Sequence, residues 1–420
     1  MLRGGDRLSV EVRPIAPDQL GAFIRAFSAA FLETISPDDL RQWQRTWERT
    51  GVIDRAIAAY DGDTIVGTSA TKPFQLTVPG PASIPVAGVT AVSVLPTYRR
   101  RGILTEMTRR EFESARHRGE IAAILYASEG VIYGRYGYGP ATFAAHYSIT
   151  TDRVAFVPAV QDGGMLALVD AAEGRRRIPE IANRHSRLRP GSIPRAEANW
   201  DDWFEDAGKE HDGMSEAFFV IHQDRNRHDD GFVAYRSTGA SLPTGPRNTV
   251  TVTRLTALSD EAYVSLWGYV LHLDLVGEVN AGNRPLQEPL RWLMTDPRRL
   301  RTTSVGDGLW VRLLDIPACL EGRHYLCVGS LTVEVRDAFC PANTGTYALE
   351  VGPNGARCAR TNLNADLVLG VAQLGSLYLG GVSFSELAHG TLVEERRSGA
   401  LLQADRMFMS PIAPWCTTDF

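Results

Sequence analysis

The stretch from Val89 to Leu104 constrains the fold of this chain more than any other segment, because it combines a strand, an arginine-rich turn and a helix. β-Branched residues over Val89–Val94 favour a pleated strand, and Pro96 ends it. Gly102 allows the backbone to approach a ligand closely before the helix begins. The predicted helix, which Gly119 can terminate, carries apolar residues on one broad face: Ile103, Leu104, Met107, Phe112 and Ala115.

This strand, turn and helix together predict a binding site for an anionic group. The first turn of a helix offers unpaired N–H groups at the positive end of its dipole. Arg99, Arg100 and Arg101 add charge-assisted donors, so a pyrophosphate fits there. The segment matches neither the Walker pattern Gly-x-x-x-x-Gly-Lys-Ser/Thr nor the dinucleotide-binding pattern Gly-x-Gly-x-x-Gly. The alternative is a basic helix start whose arginines are solvated.

A second distinctive block follows the helix. Ile121–Tyr126 predicts a short buried strand, and Ala127–Thr142 after it is rich in tyrosine and glycine. The motif Arg99-x-x-Gly102-x-Leu104 resembles the acetyl-CoA pyrophosphate loop of the GNAT acetyltransferases. Together with the tyrosine block and the final Phe420, it resembles the Eis group of that family, in which Leu often replaces the Gly or Ala that ends the generic motif.

The resemblance implies an acetyl-CoA-dependent N-acetyltransferase that transfers acetyl directly to amines, without a covalent enzyme intermediate. Backbone groups of the strand would lie beside the pantetheine arm, the arginine turn would hold the pyrophosphate, and two residues after the second strand would sit near the pantetheine. The predicted acetyl-CoA-binding residues are Val92, Ser93, Val94, Arg99, Arg100, Arg101, Gly102, Ile103, Leu104, Thr105, Ser128 and Glu129.

Acetyl transfer to an amine also needs an acid for the departing thiolate and a base for the ammonium. Tyr133 matches the family tyrosine assigned as general acid, whereas Tyr136 and Tyr138 are interpreted as packing residues. In the Eis group the base is the terminal carboxylate, here that of Phe420. Because an α-carboxyl with a pKa of about 3.5 is a weak base for an ammonium near 10, the site must lower the amine pKa or pass the proton through water.

For the acceptor, Glu33, Trp43 and Asp419 fall where the Eis group places acidic and aromatic residues around polyamines. Aminoglycosides, polyamines and lysine side chains are the implied substrates, and a homo-hexamer is the implied assembly. Without the resemblance, Glu33 and Trp43 would be interpreted as a helix-end charge and a core residue. The alternative function is a non-catalytic or lipid-carrying protein that uses its C-terminal domain.

The length of 420 residues predicts two or three domains. The expected fold class is α/β (α+β), with two tandem GNAT-like domains, the second degenerate, and a C-terminal α+β domain that resembles a sterol carrier protein. The predicted boundaries are 1–152, 153–301 and 302–420. In the first domain we predict a strand near Leu8–Val12, a helix over Gln19–Phe31 and a hairpin of Ala56–Tyr60 with Ile65–Ser69.

The middle third repeats this element order without an arginine turn, so it is not expected to bind acetyl-CoA. Strand-like segments there precede a helix over Glu261–Leu273, for which Ser259 is the predicted N-cap. The final third is expected to begin near Thr302 and to continue through strand-like segments at 308–317, 331–335 and 347–351 and a segment at 374–379.

The composition of the chain argues against several other classes of function. With 44 basic and 49 acidic residues the net charge is -5, which argues against a nucleic-acid binder. The five cysteines form no Cys-x-x-Cys pair and the nine histidines no His-x-x-x-His spacing, so neither a disulfide framework nor a metal site is expected. The chain has no signal-peptide pattern at its start and no apolar run of membrane-spanning length, so a cytoplasmic protein without membrane contact is expected.

Overall fold

The structure is a computed structural model that describes residues 10–157, 163–210, 213–239, 241–242 and 245–420. Strands are numbered in chain order as β1 Glu11–Pro14, β2 Ala56–Asp61, β3 Thr64–Val78, β4 Ala82–Val94, β5 Ala122–Tyr126, β6 Gly139–Pro140, β7 Phe143–Thr150, β8 Met165–Val169, β9 Phe218–Gln223, β10 Asp229–Thr238, β11 Ser241–Leu242, β12 Gly245–Pro246, β13 Asn248–Ala257, β14 Val276–Pro285, β15 Leu300–Asp307, β16 Leu309–Leu313, β17 Gly329–Arg336, β18 Gly345–Gly352, β19 Gly355–Arg360, β20 Leu367–Gly370 and β21 Val393–Glu395. The α-helices are α1 Leu20–Ala30, α2 Pro37–Thr50, α3 Ile103–His117, α4 Gly130–Tyr133, α5 Ala171–Ser186, α6 Glu197–Ala207, α7 Asp260–Leu271, α8 Leu290–Leu293, α9 Ile316–Glu321, α10 Val371–Leu377, α11 Phe384–His389 and α12 Ala400–Phe408.

The first sheet carries the arginine turn. Its seven strands lie in the order β1-β2-β3-β4-β5-β16-β6, and β4 and β5 are parallel neighbours joined by α3. The predicted hairpin forms as β2 and β3, and the predicted helix over Gln19–Phe31 forms as α1. The first strand begins at Glu11, later than predicted, and Leu8 and Ser9 lie outside the described residues.

The two central strands of this sheet separate, and that separation creates the site. β4 pairs with β5 only over Val86–Gly88, so the edge of residues 89–94 that faces β5 has no strand beside it. A bulge interrupts β4 within this open segment: Ala91 has φ 51°, and the hydroxyl of Thr68 on β3 donates to its carbonyl over 2.8 Å. The bulge turns backbone groups of β4 away from the ladder, where they can bind another extended chain.

The second sheet repeats this topology. Its order is β15-β7-β14-β13-β10-β9-β8, with β13 and β14 as the parallel pair and α7 as their connection. Ser259 caps α7 as predicted, because its hydroxyl accepts the N–H of Ala262 over 3.1 Å. Only Leu258 and Ser259 separate β13 from α7, so this half lacks the turn that precedes α3.

The third sheet, β19-β18-β17-β20-β21, packs against the first. One continuous buried core joins residues of both, including Leu76, Val86, Leu309 and Leu313 from the first sheet and Leu331, Val333, Leu349, Leu369 and Phe408 from the C-terminal region. Residues 371–377 form helix α10, which covers β16 and β6. The inner face of the C-terminal region is therefore filled by protein side chains.

The chain passes between sheets at points other than the predicted boundaries of 152 and 301. Strand β7, expected in the first domain, lies in the second sheet, between β15 and β14. Strand β16, expected in the third domain, lies in the first sheet between β5 and β6, and all five of its residues are buried. Burial and hydrogen bonding determine which strands pair, and strands that are distant in sequence can be neighbours in a sheet. Each of the first two sheets therefore contains a strand from beyond a predicted domain boundary. No described helix is both long and apolar enough to cross a membrane.

Candidate active site

The opening between β4 and β5 holds a cavity of about 590 Å³. It is bounded by the open edge of β4, the arginine turn, the first turn of α3 and the loop after β5. All predicted acetyl-CoA-binding residues except Arg101 line it, and so does Tyr133. The cavity also includes residues that the sequence did not single out as ligands: Ala30, Phe31, Tyr98, Val131, Ile132, Arg135 and Tyr136.

The three arginines of the turn have different roles. Arg99 donates to the carbonyls of Val94 and Ala30, each over 3.2 Å, and so ties the turn to β4 and α1. Arg101 donates to the carbonyl of Thr97 over 2.8 Å, lies over the ring of Tyr98 and does not line the cavity. Arg100 lines the cavity and has no hydrogen-bond partner within the described parts of the chain. Arg100 is therefore the guanidinium of the turn that is free to bind a ligand.

The backbone of the turn is also suited to bind an anionic ligand. Arg100 and Gly102 have φ values of 63° and 83°, so the chain turns through left-handed conformations immediately before α3. The N–H groups of the first helical turn have no partner within the helix, and Ile103, Leu104 and Thr105 face the cavity. Arg135, within the tyrosine block, also lines the cavity, and its Nε donates to the carbonyl of Ile132 over 3.0 Å.

Replacing Arg100 by Ala is expected to weaken acetyl-CoA binding by about tenfold or more, because a charge-assisted contact to phosphate is lost. Calorimetric titration measures the change in Kd. Arg225→Ala, in an exposed loop of the second half, removes the same charge far from the cavity and serves as the control. Equal affinities for Arg100→Ala and the unmodified protein would show that the turn is only a solvated helix start.

Tyr133 lies at the end of the short helix α4 with 7% of its surface exposed. Burial raises the pKa of its phenol, the nearby carboxylates of Glu111 and Glu129 add to the rise, and the hydroxyl of Ser128 opposes it. The phenol therefore keeps its proton at neutral pH. Tyr136 also lines the cavity, whereas the fully buried Tyr138 packs edge-on against Tyr133 at 6.1 Å between ring centroids.

Behind Tyr133, the carboxyl of Glu111 on α3 is buried and accepts a hydrogen bond from Ser69. Burial raises the pKa of Glu111 from 4.5 to about 8. The folded chain thus binds a proton that the unfolded chain releases, and this carboxyl lowers stability progressively as pH rises from about 4.5 to about 8. We expect Glu111→Gln to flatten this decline, which is at most about 1.4 kcal/mol per pH unit.

Urea unfolding of both proteins at several pH values between 4.5 and 8.5 measures this effect. The unmodified protein should lose stability relative to Glu111→Gln as pH rises, and the difference should level off above pH 8. A constant difference across this range would mean that Glu111 is not protonated in the folded chain.

The C-terminal segment runs across the second half of the molecule before it reaches the first sheet. The Trp415 N–H donates to the carbonyl of Pro190 over 2.9 Å, and the Ser192 hydroxyl donates to the carbonyl of Trp415 over 2.8 Å. Further along, Thr418 donates to the carbonyl of Ile193 over 3.0 Å. These contacts hold the segment in one path.

The segment ends where β4 and β5 separate. The Phe420 ring lies between Phe74 and Tyr126, at 5.0 and 5.5 Å between ring centroids. It also covers Gly88, where a Cβ atom would meet both phenyl rings. The hydroxyl of Thr90, on the open segment of β4, donates to the terminal carboxyl oxygen of Phe420 over 3.1 Å.

The three predicted acceptor residues do not line the cavity that contains Tyr133. Glu33 is exposed beyond the end of α1. Trp43, on α2, packs against Phe27 at 6.1 Å between ring centroids, and Phe27 in turn packs against Phe31 at the cavity wall. Asp419 lines a second cavity, which is smaller and contains several arginines.

Comparison with known proteins agrees with this architecture. A family model described as an acetyltransferase (GNAT) domain matches residues 11–141, a second with the same description matches 191–313, and a sterol carrier protein domain matches 316–417. An uncharacterized N-acetyltransferase of Streptomyces avermitilis is 38% identical over 98% of this chain and 100% of its own length. N-acetyltransferase Eis of Mycobacterium tuberculosis is 33% identical over 95% of this chain and 96% of its own.

This chain belongs to the Eis group of GNAT N-acetyltransferases. The crystal structure of Eis1 from Mycobacterium abscessus superposes with a TM-score of 0.85, at 32% identity over 98% of this chain and 100% of the other. Membership in the Eis group confirms the predicted fold of two GNAT domains followed by a sterol-carrier-like domain. It also makes the chain an acetyltransferase, with acetyl-CoA as co-substrate and an amine as acceptor.

Proposed function

We propose that acetyl-CoA binds in the cavity between β4 and β5 and that the chain transfers its acetyl group directly to a primary amine held near Phe420. The observation that carries the proposal is that the open edge of β4, the unpaired start of α3, the free guanidinium of Arg100 and the phenol of Tyr133 all face one cavity. Its volume of about 590 Å³ lies within the range of cofactor sites.

In this mechanism the neutral amine attacks the thioester carbonyl, the C–N bond forms and the C–S bond breaks. Backbone N–H groups at the bulge of β4 stabilise the oxyanion that develops on the carbonyl oxygen. Tyr133 gives its proton to the departing thiolate, whose own basicity rises in the same buried surroundings. The proton from the amine passes to the carboxylate of Phe420, which Thr90 orients, directly or through one water.

No covalent intermediate on the enzyme is needed. None of the described residues that line the cavity is a cysteine, so direct attack by the amine is the simpler route. A lipid-carrying role for the C-terminal region is less favoured, because its inner face packs against the first sheet as part of one continuous core. The homo-hexamer implied by the resemblance belongs to the same proposal, and light scattering on the purified protein tests it.

The acceptors to test first are aminoglycosides, polyamines and peptides that contain lysine, with Glu33, Trp43 and Asp419 proposed as the groups on the acceptor side. Release of free thiol from acetyl-CoA, measured with each acceptor, tests the proposed function. We expect thiol release that depends on the amine, with mass spectrometry showing one acetyl group added for each thiol released. Binding of acetyl-CoA without thiol release for any primary amine would contradict the proposal.

A further inference from the structure

The second sheet contains a groove that corresponds to the opening between β4 and β5. β13 and β14 pair in parallel over Asn248–Val252 and then separate, as β4 and β5 do after Gly88. β13 carries one extra residue opposite β10, Thr253, whose hydroxyl donates to the carbonyl of Ala234 over 3.0 Å. The bulge of β4 at Ala91 lies in the corresponding segment of the first sheet. The second half thus repeats the geometry that opens a strand edge to a ligand, and we call this site the second groove: Thr253, Arg254 and Leu255 on β13 with Asn283 and Arg284 on β14.

The C-terminal segment lies in the second groove. On the β13 side, Arg254 donates to the carbonyl of Thr417 over 2.7 Å. On the β14 side, the Asn283 amide donates to the carbonyl of Cys416 over 3.4 Å, and the backbone carbonyl of Asn283 accepts the indole N–H of Trp415 over 3.0 Å. Three successive residues of the segment are therefore bound to the two strands that have separated. The cavity left beside them is about 150 Å³, far smaller than the cavity of the first half.

Trp415 is the most heavily contacted side chain of the segment. It is 3% exposed, and the guanidinium carbons of Arg189 and Arg284 each lie 5.1 Å from its ring centroid. The ring of His185 lies 5.9 Å from the same indole at a nearly perpendicular angle. A buried indole beside cations combines a large apolar surface with cation–π attraction. The second half therefore contacts this side chain as a binding site contacts a ligand.

The second groove suits a peptide rather than a nucleotide cofactor. Leu258 and Ser259 alone connect β13 to α7, and the Ser259 hydroxyl occupies an N–H of the first helical turn. In the first half, the start of α3 and Arg100 face the large cavity instead. The guanidinium of Arg254 is directed to a peptide carbonyl, and the Asp419 carboxylate in the same small cavity attracts it. The ligand of the second groove is thus part of the chain itself.

From the second groove the chain reaches the first sheet within three residues. The Thr418 carbonyl accepts from the hydroxyl of Tyr126 on β5 over 3.2 Å. The Phe420 carboxyl then accepts from Thr90 on β4. A span of three residues covers at most about 11 Å, so the position of Thr417 limits where the Phe420 carboxylate can lie. Because proton transfer needs a reach of about 3 Å, directly or through one water, a shift of the segment in the groove moves the carboxylate out of range.

We propose that the second half takes part in catalysis by binding the C-terminal segment in the second groove, and that Arg254 and Asn283 are positioning residues for the Phe420 carboxylate. This rests on the proposed function, because it concerns the base of the same transfer. The two halves then bind two different extended ligands in corresponding grooves, acetyl-CoA in the first and the end of the chain in the second. The two ligands meet where β4 and β5 separate, which is where the thioester and the base must come together.

The test measures the rate of transfer and the seating of the segment in the same full-length variants. Cys416 reports on seating, because its thiol is buried within the segment, and peptide mapping after brief treatment with iodoacetamide measures how fast it is alkylated. Cys319, buried in the core shared with the C-terminal region, separates local release of the segment from general unfolding. The variants are Arg254→Gln, Arg254→Lys and Asn283→Gly, the last chosen because glycine accepts the φ of 45° at this position.

In Arg254→Gln and Asn283→Gly we expect kcat to fall by about tenfold or more, since a general base contributes roughly 10² to 10⁴ in rate and is displaced here rather than removed. Cys416 should be alkylated about tenfold faster or more, because the segment leaves the groove more often. The alkylation of Cys319 and the Kd of acetyl-CoA, measured by calorimetric titration, should stay unchanged. Arg254→Lys should retain part of the rate and of the protection, because it keeps a cationic donor.

Arg236→Gln is the matched control. Arg236 is a buried arginine of the neighbouring strand β10, and it also donates to backbone carbonyls, those of Ser215 and Asp206, each over 2.9 Å. Its loss should lower stability without changing the alkylation of Cys416 or kcat per acetyl-CoA site counted by calorimetry. Equal effects of Arg236→Gln and Arg254→Gln on both measurements would reduce the role of Arg254 to stability and overturn the inference.

A change in only one of the two measurements would also overturn it. Faster alkylation of Cys416 at an unchanged kcat would mean that the transfer does not need the segment in the groove. A lower kcat with Cys416 still protected would mean that the groove does not act through the segment. In either case the proposed function stands. If no amine releases thiol with the unmodified protein, the proposed function itself fails and the positioning role fails with it, whatever the alkylation rates show about seating.

Discussion

Adding about four residues after Phe420 is expected to abolish acetyl transfer while leaving the three sheets folded. The carboxylate that Thr90 holds would become a peptide carbonyl, and the new terminal charge would move away from the point where β4 and β5 separate. A general base contributes roughly 10² to 10⁴ in rate, so we expect a loss in that range. Initial rates of thiol release from the native and extended chains measure it.

The same tag placed before Met1 is the matched control and should be harmless. Deleting Phe420 provides a second probe, because it moves the carboxylate to Asp419, up to about 3.6 Å away, and removes the ring packed between Phe74 and Tyr126. Circular dichroism checks that each variant is folded. If the extended chain works as fast as the native one, the Phe420 carboxylate is not the base, and Glu33 becomes the next candidate.

Tyr133→Phe is the second change with a large expected effect. It retains the buried ring but removes the proton that the thiolate requires, and we expect kcat to fall by about 10² to 10⁴ with little change in acetyl-CoA affinity. Because burial raises the pKa of this phenol, activity of the unmodified protein should not decline through loss of its proton until pH exceeds 10. Steady-state kinetics together with calorimetric titration separate the loss of rate from any loss of binding.

Tyr136→Phe is the control, since Tyr136 lines the same cavity and has the Thr105 hydroxyl at 3.4 Å from its own. A large loss in Tyr136→Phe with near-normal turnover in Tyr133→Phe would exchange the roles of the two tyrosines.

The parts of the site that are local in sequence could be predicted. The strand over Val89–Val94, the arginine turn and α3 are contiguous, and their periodicity and glycine positions predict the fold of each piece. The family motif also predicts which residues surround the cavity. The different roles of the three arginines could not be predicted. Arg99 and Arg101 are occupied because the fold places backbone carbonyls within their reach, and the sequence does not show those contacts.

Apart from the placement of Phe420, which the resemblance implied, the parts assembled from distant segments were not predicted. Arg195 and Arg254 share no motif with the end of the chain, and only the fold brings them into one cavity with Thr417 and Asp419. The burial of all five residues in Leu309–Leu313 is consistent with a central strand, yet nothing in the sequence says that the strand belongs to the first sheet rather than the third. Pairing over such separations is a property of the whole packed structure.

The insertion of β16 into the first sheet also leaves that sheet incomplete during much of the synthesis of the chain. Strand β5 is synthesised early, but its neighbour β16 leaves the ribosome only after the whole second half of the molecule. The delay is on the order of ten seconds at ordinary translation rates. Throughout that interval the nascent chain exposes an unpaired strand edge, which is prone to join other chains. Products that stop before Leu309 therefore keep the acetyl-CoA motif but lack a complete sheet to support it, and we expect them to aggregate rather than to act as small acetyltransferases.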